Sequence, residues 1–320
     1  MRRLQRNSLT YLLAAGALAG FGGQAWAVEG GAGMYILGSK TTMAGAVPPP
    51  GTYTQQTFYY YSGENGGSIP QGGRLEVGID GEAFIGLSSV IWSGDGSAMG
   101  GRPFFGLTLP WGYKESNVDA TLTAPNGAVL SANKSQDSFT FGDPVLSGGL
   151  GWGQGPVMGS LTLMVNVPVG DYDQARSTNV AFNHWAYDLT GAVTWMNPDT
   201  GWQANLAAGV TFNDENDDTE YESGDEFHLE AAVGKTLANG VMLGLQGYYY
   251  KQISDDTGAG TFGPFRGEVT ALGPAVSWQG NWWETPVTLE ARWFHEFDAT
   301  NRLEGDAILF NMTIPLGGKS

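Results

Sequence analysis

Ten side chains in the second half of the chain are of types that could bind, orient or exclude small molecules. They are His184, Asp188, His228, Glu230, Tyr248, Tyr250, Arg266, Glu268, Glu290 and Arg292. Buried charges are usually paired, so we expect Arg266 to pair with Glu268 or Glu290. Arg292 is expected to pair with Glu230 or Glu290. Such pairs would either brace an interior or form a polar constriction, in which the tyrosine faces favour neutral aromatic molecules over ions.

Covalent chemistry finds little support in the same residues. The chain has three histidines, His184, His228 and His295. None lies in a G-x-S-x-G or H-E-x-x-H motif, and no serine is placed beside them by the sequence. A lipid hydrolase assembled from distant residues is the enzymatic alternative. The sequence predicts no catalytic residue, no metal site and no cofactor.

Strands with one apolar face must position the ten side chains. In NHWAYDLTGAVTW, residues 183–195, one parity carries Trp185, Tyr187, Leu189, Val193 and Trp195. Ten residues at ~3.3 Å each span about 33 Å, and a tilt of roughly 40° leaves about 25 Å, the height of the apolar band on an outer-membrane barrel. A strand of a soluble sandwich is the alternative for this segment alone.

The same alternation predicts eight strands from residue 157 onward, and their connections alternate in length. Short turns are expected at 153–156, 197–201, 237–240 and 281–286. Longer polar loops are expected at 170–180, 213–225, 254–263 and 298–304. Short turns on one rim and long loops on the other are typical of the periplasmic and extracellular ends of a bacterial barrel.

Tryptophans support the membrane interpretation because they recur at a fixed depth. Those beside the short turns are predicted to form a girdle at one interface, and Trp185 marks the opposite one together with Tyr249 and Phe297. The first group is Trp195, Trp202, Trp278, Trp282 and Trp283.

The first half of the chain is less regular. It predicts strands at 52–62, 82–93, 103–113 and 139–152, with an additional hairpin formed by 117–123 and 128–132 around Pro125-Asn126-Gly127. We therefore expect an all-β fold, a transmembrane antiparallel β-barrel over residues 51–320. Even strand numbers are the rule for such barrels, so 12 strands are favoured, or 14 if the hairpin crosses the membrane.

Two segments precede the predicted barrel. Residues 1–27 read as a secretory signal, with a basic start, an apolar stretch and an Ala25-Trp26-Ala27 cleavage site, so the mature chain would begin at Val28. Residues 28–50 are expected to plug the lumen, because a barrel of this size is wider than its own side chains fill. The alternative is a periplasmic tail. The expected plug contacts are Met34, Tyr35, Ile36, Leu37, Pro48, Pro49 and Pro50.

Composition narrows the choice of partners. Without residues 1–27, 12 basic residues face 32 acidic ones, a net charge of −20, which argues against a nucleic-acid partner. Cysteine is absent, so disulfides are excluded. Beyond the signal no apolar run reaches 18 residues, which excludes helical spans. The acidic loop 214–226 is expected to be solvated, with bridging of divalent cations to lipopolysaccharide as the alternative.

Several short motifs resemble one known family. They are EGGAGMYILGSKTTMAGAVPPPGTY (29–53), FGDP (141–144), VPVGDYD (167–173), YESGDEFHLE (221–230), GLQGYYYKQISDD (244–256) and ALGP (271–274). They resemble the phenol-degradation meta-pathway family of outer-membrane transporters. The resemblance implies a Gram-negative outer-membrane barrel that admits hydrophobic small molecules. One departure from outer-membrane barrels is the ending Gly317–Ser320, which lacks a terminal aromatic residue.

These observations predict passive diffusion of small hydrophobic or aromatic compounds across the outer membrane. The partners would be outer-membrane lipid and lipopolysaccharide, the barrel-assembly machinery and the solutes themselves. A narrow porin for hydrophilic solutes is the second interpretation, and a lipid hydrolase the third.

Overall fold

The computed structural model describes residues 33–70, 74–123, 129–153, 155–258 and 266–316. The expected signal at 1–27, the Pro125-Asn126-Gly127 turn and the C-terminal Gly317–Ser320 lie outside these residues. Among the described residues, no helix is long and apolar enough to cross a membrane.

The described chain consists of β-strands and their connections. The strands are β1 (Gly51–Pro70), β2 (Arg74–Ser93), β3 (Arg102–Thr123), β4 (Val129–Phe141), β5 (Val145–Trp152), β6 (Val157–Asn166), β7 (Ala186–Met196), β8 (Trp202–Asn213), β9 (Tyr221–Glu222), β10 (Glu226–Thr236), β11 (Val241–Gln252), β12 (Thr257–Gly258), β13 (Glu268–Trp282), β14 (Thr285–Thr300) and β15 (Glu304–Leu316).

The strands close into a 12-strand antiparallel barrel, as predicted. Each barrel strand pairs with its neighbour along the chain, and β15 pairs with β1 to complete the ring. β4 and β5 together make one barrel strand, because residues 111–123 of β3 pair with β4 and residues 102–108 pair with β5. β9 and β12 form a separate two-stranded sheet in the outer loops. The β3–β4 hairpin therefore lengthens the wall, and the 14-strand alternative is wrong.

The barrel wall has two heights. β1 and β2 each contain 20 residues and β3 contains 22, whereas β6, β7 and β8 contain 10 to 12. We call β14, β15 and β1 to β4 the tall wall, and β5 to β8 with β10 and β11 the low wall. The long loop expected at 298–304 is instead the three-residue turn Asn301–Leu303, because β14 and β15 continue further outward than the alternation indicated.

The low wall shows most clearly which face meets lipid. On β8, Trp202, Leu206 and Phe212 are exposed on the outside, while Gln203 and Asn205 between them are buried on the inside. Apolar outside and polar inside is the reverse of a soluble protein, and it is stable where the outer face contacts hydrocarbon. Near the short turns the tryptophans of the expected girdle are exposed or half-buried: Trp195, Trp202, Trp278, Trp282 and Trp283.

Candidate functional site

Residues 33–50, here called the N-terminal segment, run through the inside of the barrel. At the short-turn rim the Pro48 carbonyl accepts hydrogen bonds from Ser93 Oγ at 2.8 Å and Arg102 Nη1 at 3.1 Å. At the other end Gly33 lies so close to the Glu226 carboxylate that a side chain there would overlap it. Between these ends the segment contacts inward side chains of the low wall, which include Thr162, Thr194 and Gln246.

Glu230 on β10 holds the middle of the N-terminal segment. The backbone N–H groups of Gly38 and Lys40 donate to its two carboxylate oxygens at 2.8 and 2.7 Å. The Glu230 side chain is fully buried. Hydrogen bonds to an ionised acceptor are roughly twice as strong as neutral ones, so this carboxylate is a principal anchor of the segment.

Arg292 on β14 binds the same part of the N-terminal segment through its positively charged guanidinium group. Its Nη1 donates to the carbonyls of Gly38 and Ser39 at 3.0 and 2.7 Å. Its Nη2 donates to Thr42 Oγ1 at 2.7 Å and to Glu290 Oε2 at 2.9 Å. Of the two partners expected for Arg292, Glu290 forms the ion pair, and the pair shares Thr42 with the segment.

His228 adds an aromatic contact to the segment. Its ring stacks on Tyr35 with 3.6 Å between centroids, and its Nε2 lies 2.8 Å from Asp188 Oδ2. Asp188 also accepts hydrogen bonds from Thr190 and Thr211. Among the described residues, the Tyr35 hydroxyl and His228 Nδ1 are buried without a hydrogen-bond partner. The arrangement therefore positions a ring rather than a nucleophile.

Tyr248 and Tyr250 on β11 face inward in the outer half of the barrel. Both are buried in a cluster with inward residues of β13, β14 and β15. The Tyr248 ring lies 4.9 Å from that of Phe294, and Ile36 and Leu37 of the N-terminal segment pack against the cluster. This part of the lumen is aromatic, whereas the inward face of β6 to β8 is polar.

Glu296 on β14 links Tyr248 of this cluster to Tyr61 on β1. Its Oε1 accepts from Tyr248 and its Oε2 from Tyr61, both at 2.8 Å, and the Gly305 N–H donates to Oε2 at 3.1 Å. Arg302 Nη2 is 3.6 Å from Oε1, and the Arg302 guanidinium lies 4.7 Å above the Tyr250 ring. Glu296 and Arg302 are not among the site residues predicted from the sequence. Glu296 shares its parity with Glu290 and Arg292, so the alternation could have found it, but Arg302 lies in a turn and carries no periodic signal.

Arg266 and Glu268 do not face the lumen, and their expected pairing is wrong. Arg266 Nε pairs with Asp255 at 2.6 Å in an exposed loop. Glu268 pairs on the outside with Lys251 at 2.9 Å and accepts a hydrogen bond from Tyr249. Glu268 has the same parity as Leu272 and Val276, which face outward. Its polar character reflects a position above the apolar band, where the outer face meets water.

The loop between β6 and β7 folds onto the inward face of β4. Asp143 holds it by accepting hydrogen bonds from Gly170, Phe182 and Asn183 backbone N–H groups. Further contacts join Ser138 to Thr178. The expected lumen residue His184 is buried in this loop beside Phe182 and does not lie on a strand. The loop therefore narrows the long-loop end of the barrel on the side of the tall wall.

The remaining outer loops cover the low wall. Asp256 accepts hydrogen bonds from Tyr221 Oη at 2.6 Å, the Gly224 N–H at 2.8 Å and Gln252 Nε2 at 2.6 Å. Burial raises the pKa of Asp256 above its ordinary value, and these three donors oppose the shift. Within the described ranges, no group of three or more His, Asp or Glu side chains is arranged to hold a metal ion.

Comparison with known proteins gives one family and a set of similar folds. A family model described as "Putative MetA-pathway of phenol degradation" matches residues 64–312. The crystal structure of an outer membrane channel from Pseudomonas putida F1 has a TM-score of 0.63 at 13% identity, covering 88% of this chain and 100% of that one. A monoaromatic hydrocarbon channel, CymD, has a TM-score of 0.42 at 7% identity, covering 84% and 89%. Comparison with curated proteins gives no match.

Proposed function

The chain belongs to the family described as the MetA pathway of phenol degradation, and from this premise we propose that it is an outer-membrane channel. It takes up small hydrophobic or aromatic compounds passively into a Gram-negative cell, without covalent chemistry or energy input. The observation that carries the proposal is the aromatic cluster on the inward face of the barrel, with Tyr248 and Tyr250 facing away from lipid.

Lumen geometry favours small neutral solutes over ions. A 12-strand barrel is wider than eight-strand barrels that side chains fill and narrower than open porins, and the N-terminal segment occupies part of its interior. Inside the barrel Arg292 is already paired with Glu290, and Glu230 accepts two backbone hydrogen bonds. A solute that passes Tyr61, Tyr248 and Phe294 meets ring faces and edges that suit another aromatic ring. In this proposal the N-terminal segment narrows or gates the path.

The environment of the barrel follows from its outer surface. Exposed Leu, Val and Phe side chains cover the low wall, which suits contact with outer-membrane lipid, and the outer rim would face lipopolysaccharide. The chain would depend on the barrel-assembly machinery, as outer-membrane barrels with a secretory signal do.

A narrow porin for hydrophilic solutes is the second candidate. It is favoured by the buried polar residues on the inside of the low wall, for example Thr190, Thr194 and Asn205. These side chains could exchange hydrogen bonds with a sugar as readily as with each other.

Solute flux into liposomes distinguishes the two candidates. The folded mature barrel is reconstituted, and entry of neutral monoaromatic solutes is compared with entry of sugars of similar size after subtraction of the bare-lipid leak. We expect aromatic flux to exceed sugar flux, and the ratio to fall when Tyr248 and Tyr250 are both replaced by alanine. Tyr249→Ala is the matched control because Tyr249 lies between them and faces outward. Equal flux of both solutes would establish the porin, and absence of aromatic flux would refute the proposal.

A further inference from the structure

The turn between β14 and β15 folds into the barrel instead of outward. Leu303 is buried, and only 15% of the Arg302 side chain is exposed. Glycines on the neighbouring strands leave room for the inward turn and for the Tyr61 ring. A side chain at Gly81 would collide with Leu303, and one at Gly63 would collide with the Tyr61 ring. The turn therefore covers the aromatic cluster from above.

We propose that the position of the Arg302 guanidinium on the Tyr250 ring is a binding site for a small phenol, and that Arg302 and Leu303 form its lid. The inference deepens the proposed function and rests on it, because it names the solute class and the residues that recognise it. The phenol ring takes the place of the guanidinium on the face of Tyr250, and its hydroxyl donates to Glu296 Oε1. Arg302 swings outward when the phenol enters.

The closed lid is held weakly, which makes Arg302 the displaceable group. Its 3.6 Å separation from Glu296 Oε1 exceeds hydrogen-bond distance and is the longest of the four polar contacts of that carboxylate. Its Nε is buried without a partner among the described residues, and an unsatisfied buried donor is unfavourable.

Glu296 gives the site its preference for a hydroxylated ring. Its side chain is 1% exposed, so water cannot readily replace a lost donor. A hydrocarbon ring under the displaced lid would leave Oε1 with Tyr248 as its donor. A phenol supplies a second donor in the position that the guanidinium occupied. Burial of a carboxylate with fewer donors is unfavourable, so the site discriminates by the hydroxyl group.

Equilibrium binding tests the site independently of transport. Full mature barrel in lipid nanodiscs is titrated calorimetrically with phenol and with toluene, and titrations of empty nanodiscs are subtracted. Removal of the lid in Arg302→Ala should raise phenol affinity about tenfold, because the competent state no longer competes with the closed one. Toluene affinity should rise by a similar factor, because both ligands gain when the closed lid is removed, but phenol should bind more tightly than toluene, since only phenol donates a hydrogen bond to Glu296. Arg266→Ala is the control, because it removes an exposed arginine from a neighbouring loop, and should leave both affinities unchanged.

Two further variants test the role of the carboxylate. In the Arg302→Ala background, Glu296→Gln should abolish most of the phenol preference because the acceptor loses its charge. Folding is checked by the gel mobility shift of heated against unheated barrel. If that variant does not fold, Tyr248→Phe frees a lone pair on Oε1 and should raise phenol affinity further.

Each outcome bears on one proposal. Unchanged phenol affinity in Arg302→Ala, or equal affinities for phenol and toluene in that variant, would overturn the site. Tight phenol binding together with absent aromatic flux in liposomes would support the site and refute the channel. Aromatic flux in liposomes, together with a phenol affinity that does not change in Arg302→Ala, would refute the site and leave the channel supported.

Discussion

Glu230 and Glu296 are both almost completely buried inside the barrel, yet different donors satisfy them. Glu230 accepts from two backbone N–H groups of the N-terminal segment. Glu296 accepts from two tyrosine hydroxyls and one strand N–H, with a loosely held guanidinium nearby. Backbone donors cannot leave unless the whole segment moves, whereas side chains can rotate away. The N-terminal segment is therefore held firmly at Glu230. The side chains that donate to Glu296, in contrast, can be replaced by a ligand.

Removal of Glu230 should have the largest effect. Glu230→Ala deletes two hydrogen bonds to a charged group, each worth about 1.5–3 kcal/mol, so the docked segment should lose roughly 3 kcal/mol or more. We expect higher single-channel conductance and longer open times in planar bilayers. Glu268→Ala, which removes an exposed carboxylate near the outer rim, should leave both unchanged. Equal conductance of the two variants would show that Glu230 does not hold the N-terminal segment in the lumen.

Arg292 tests whether the attachment of the N-terminal segment near Glu230 also depends on a positively charged side chain. Arg292→Met should lower the free energy of unfolding by about 3 kcal/mol, since Glu290 loses its partner in a largely buried site. Arg266→Met breaks an exposed pair and should cost no more than about 1 kcal/mol. Guanidinium-induced unfolding in detergent measures both. Equal losses would show that Arg292 contributes no more than a surface pair.

Tyr61 tests the replaceable donors at Glu296. Tyr61→Phe should destabilise the barrel by about 1 kcal/mol, because Tyr248 and Gly305 still donate to the carboxylate. The same unfolding experiment applies. A loss as large as that of Arg292→Met would show that the donors at Glu296 are no easier to replace than the contacts in the Glu230 region.

Loss of the Tyr35 hydroxyl should give the smallest effect. This buried hydroxyl lacks a hydrogen-bond partner among the described residues, so Tyr35→Phe should lower the free energy of unfolding by no more than about 0.5 kcal/mol. Tyr35→Ala removes the stacked ring from His228 and should cost about 3 kcal/mol. Similar losses in the two variants would mean that the hydroxyl, rather than the ring, anchors the segment.

The sequence predicted the barrel and its strand number because every outward position within the lipid band must be apolar. That constraint weakens above the band, where Glu268 faces outward although it is charged. It disappears in turns, so Arg302 could not be found. The hydrogen bonds between Glu230 and the N-terminal segment could not be predicted from the sequence either. Their donors are backbone N–H groups, which every non-proline residue has, so no residue type marks them.

Closure of the ring has a consequence for the order of assembly. β1 pairs with β15 along most of its length, and Thr52 faces Leu316 across the seam. Chain ends so far apart in sequence meet late and slowly. The N-terminal segment immediately precedes β1, so it is enclosed when that seam forms. A barrel that closed first would have to admit the segment end-on from the inner rim, with Glu230 and Arg292 unpaired until it arrived. A factor that keeps the two edge strands apart during insertion would therefore also control when the lumen is filled.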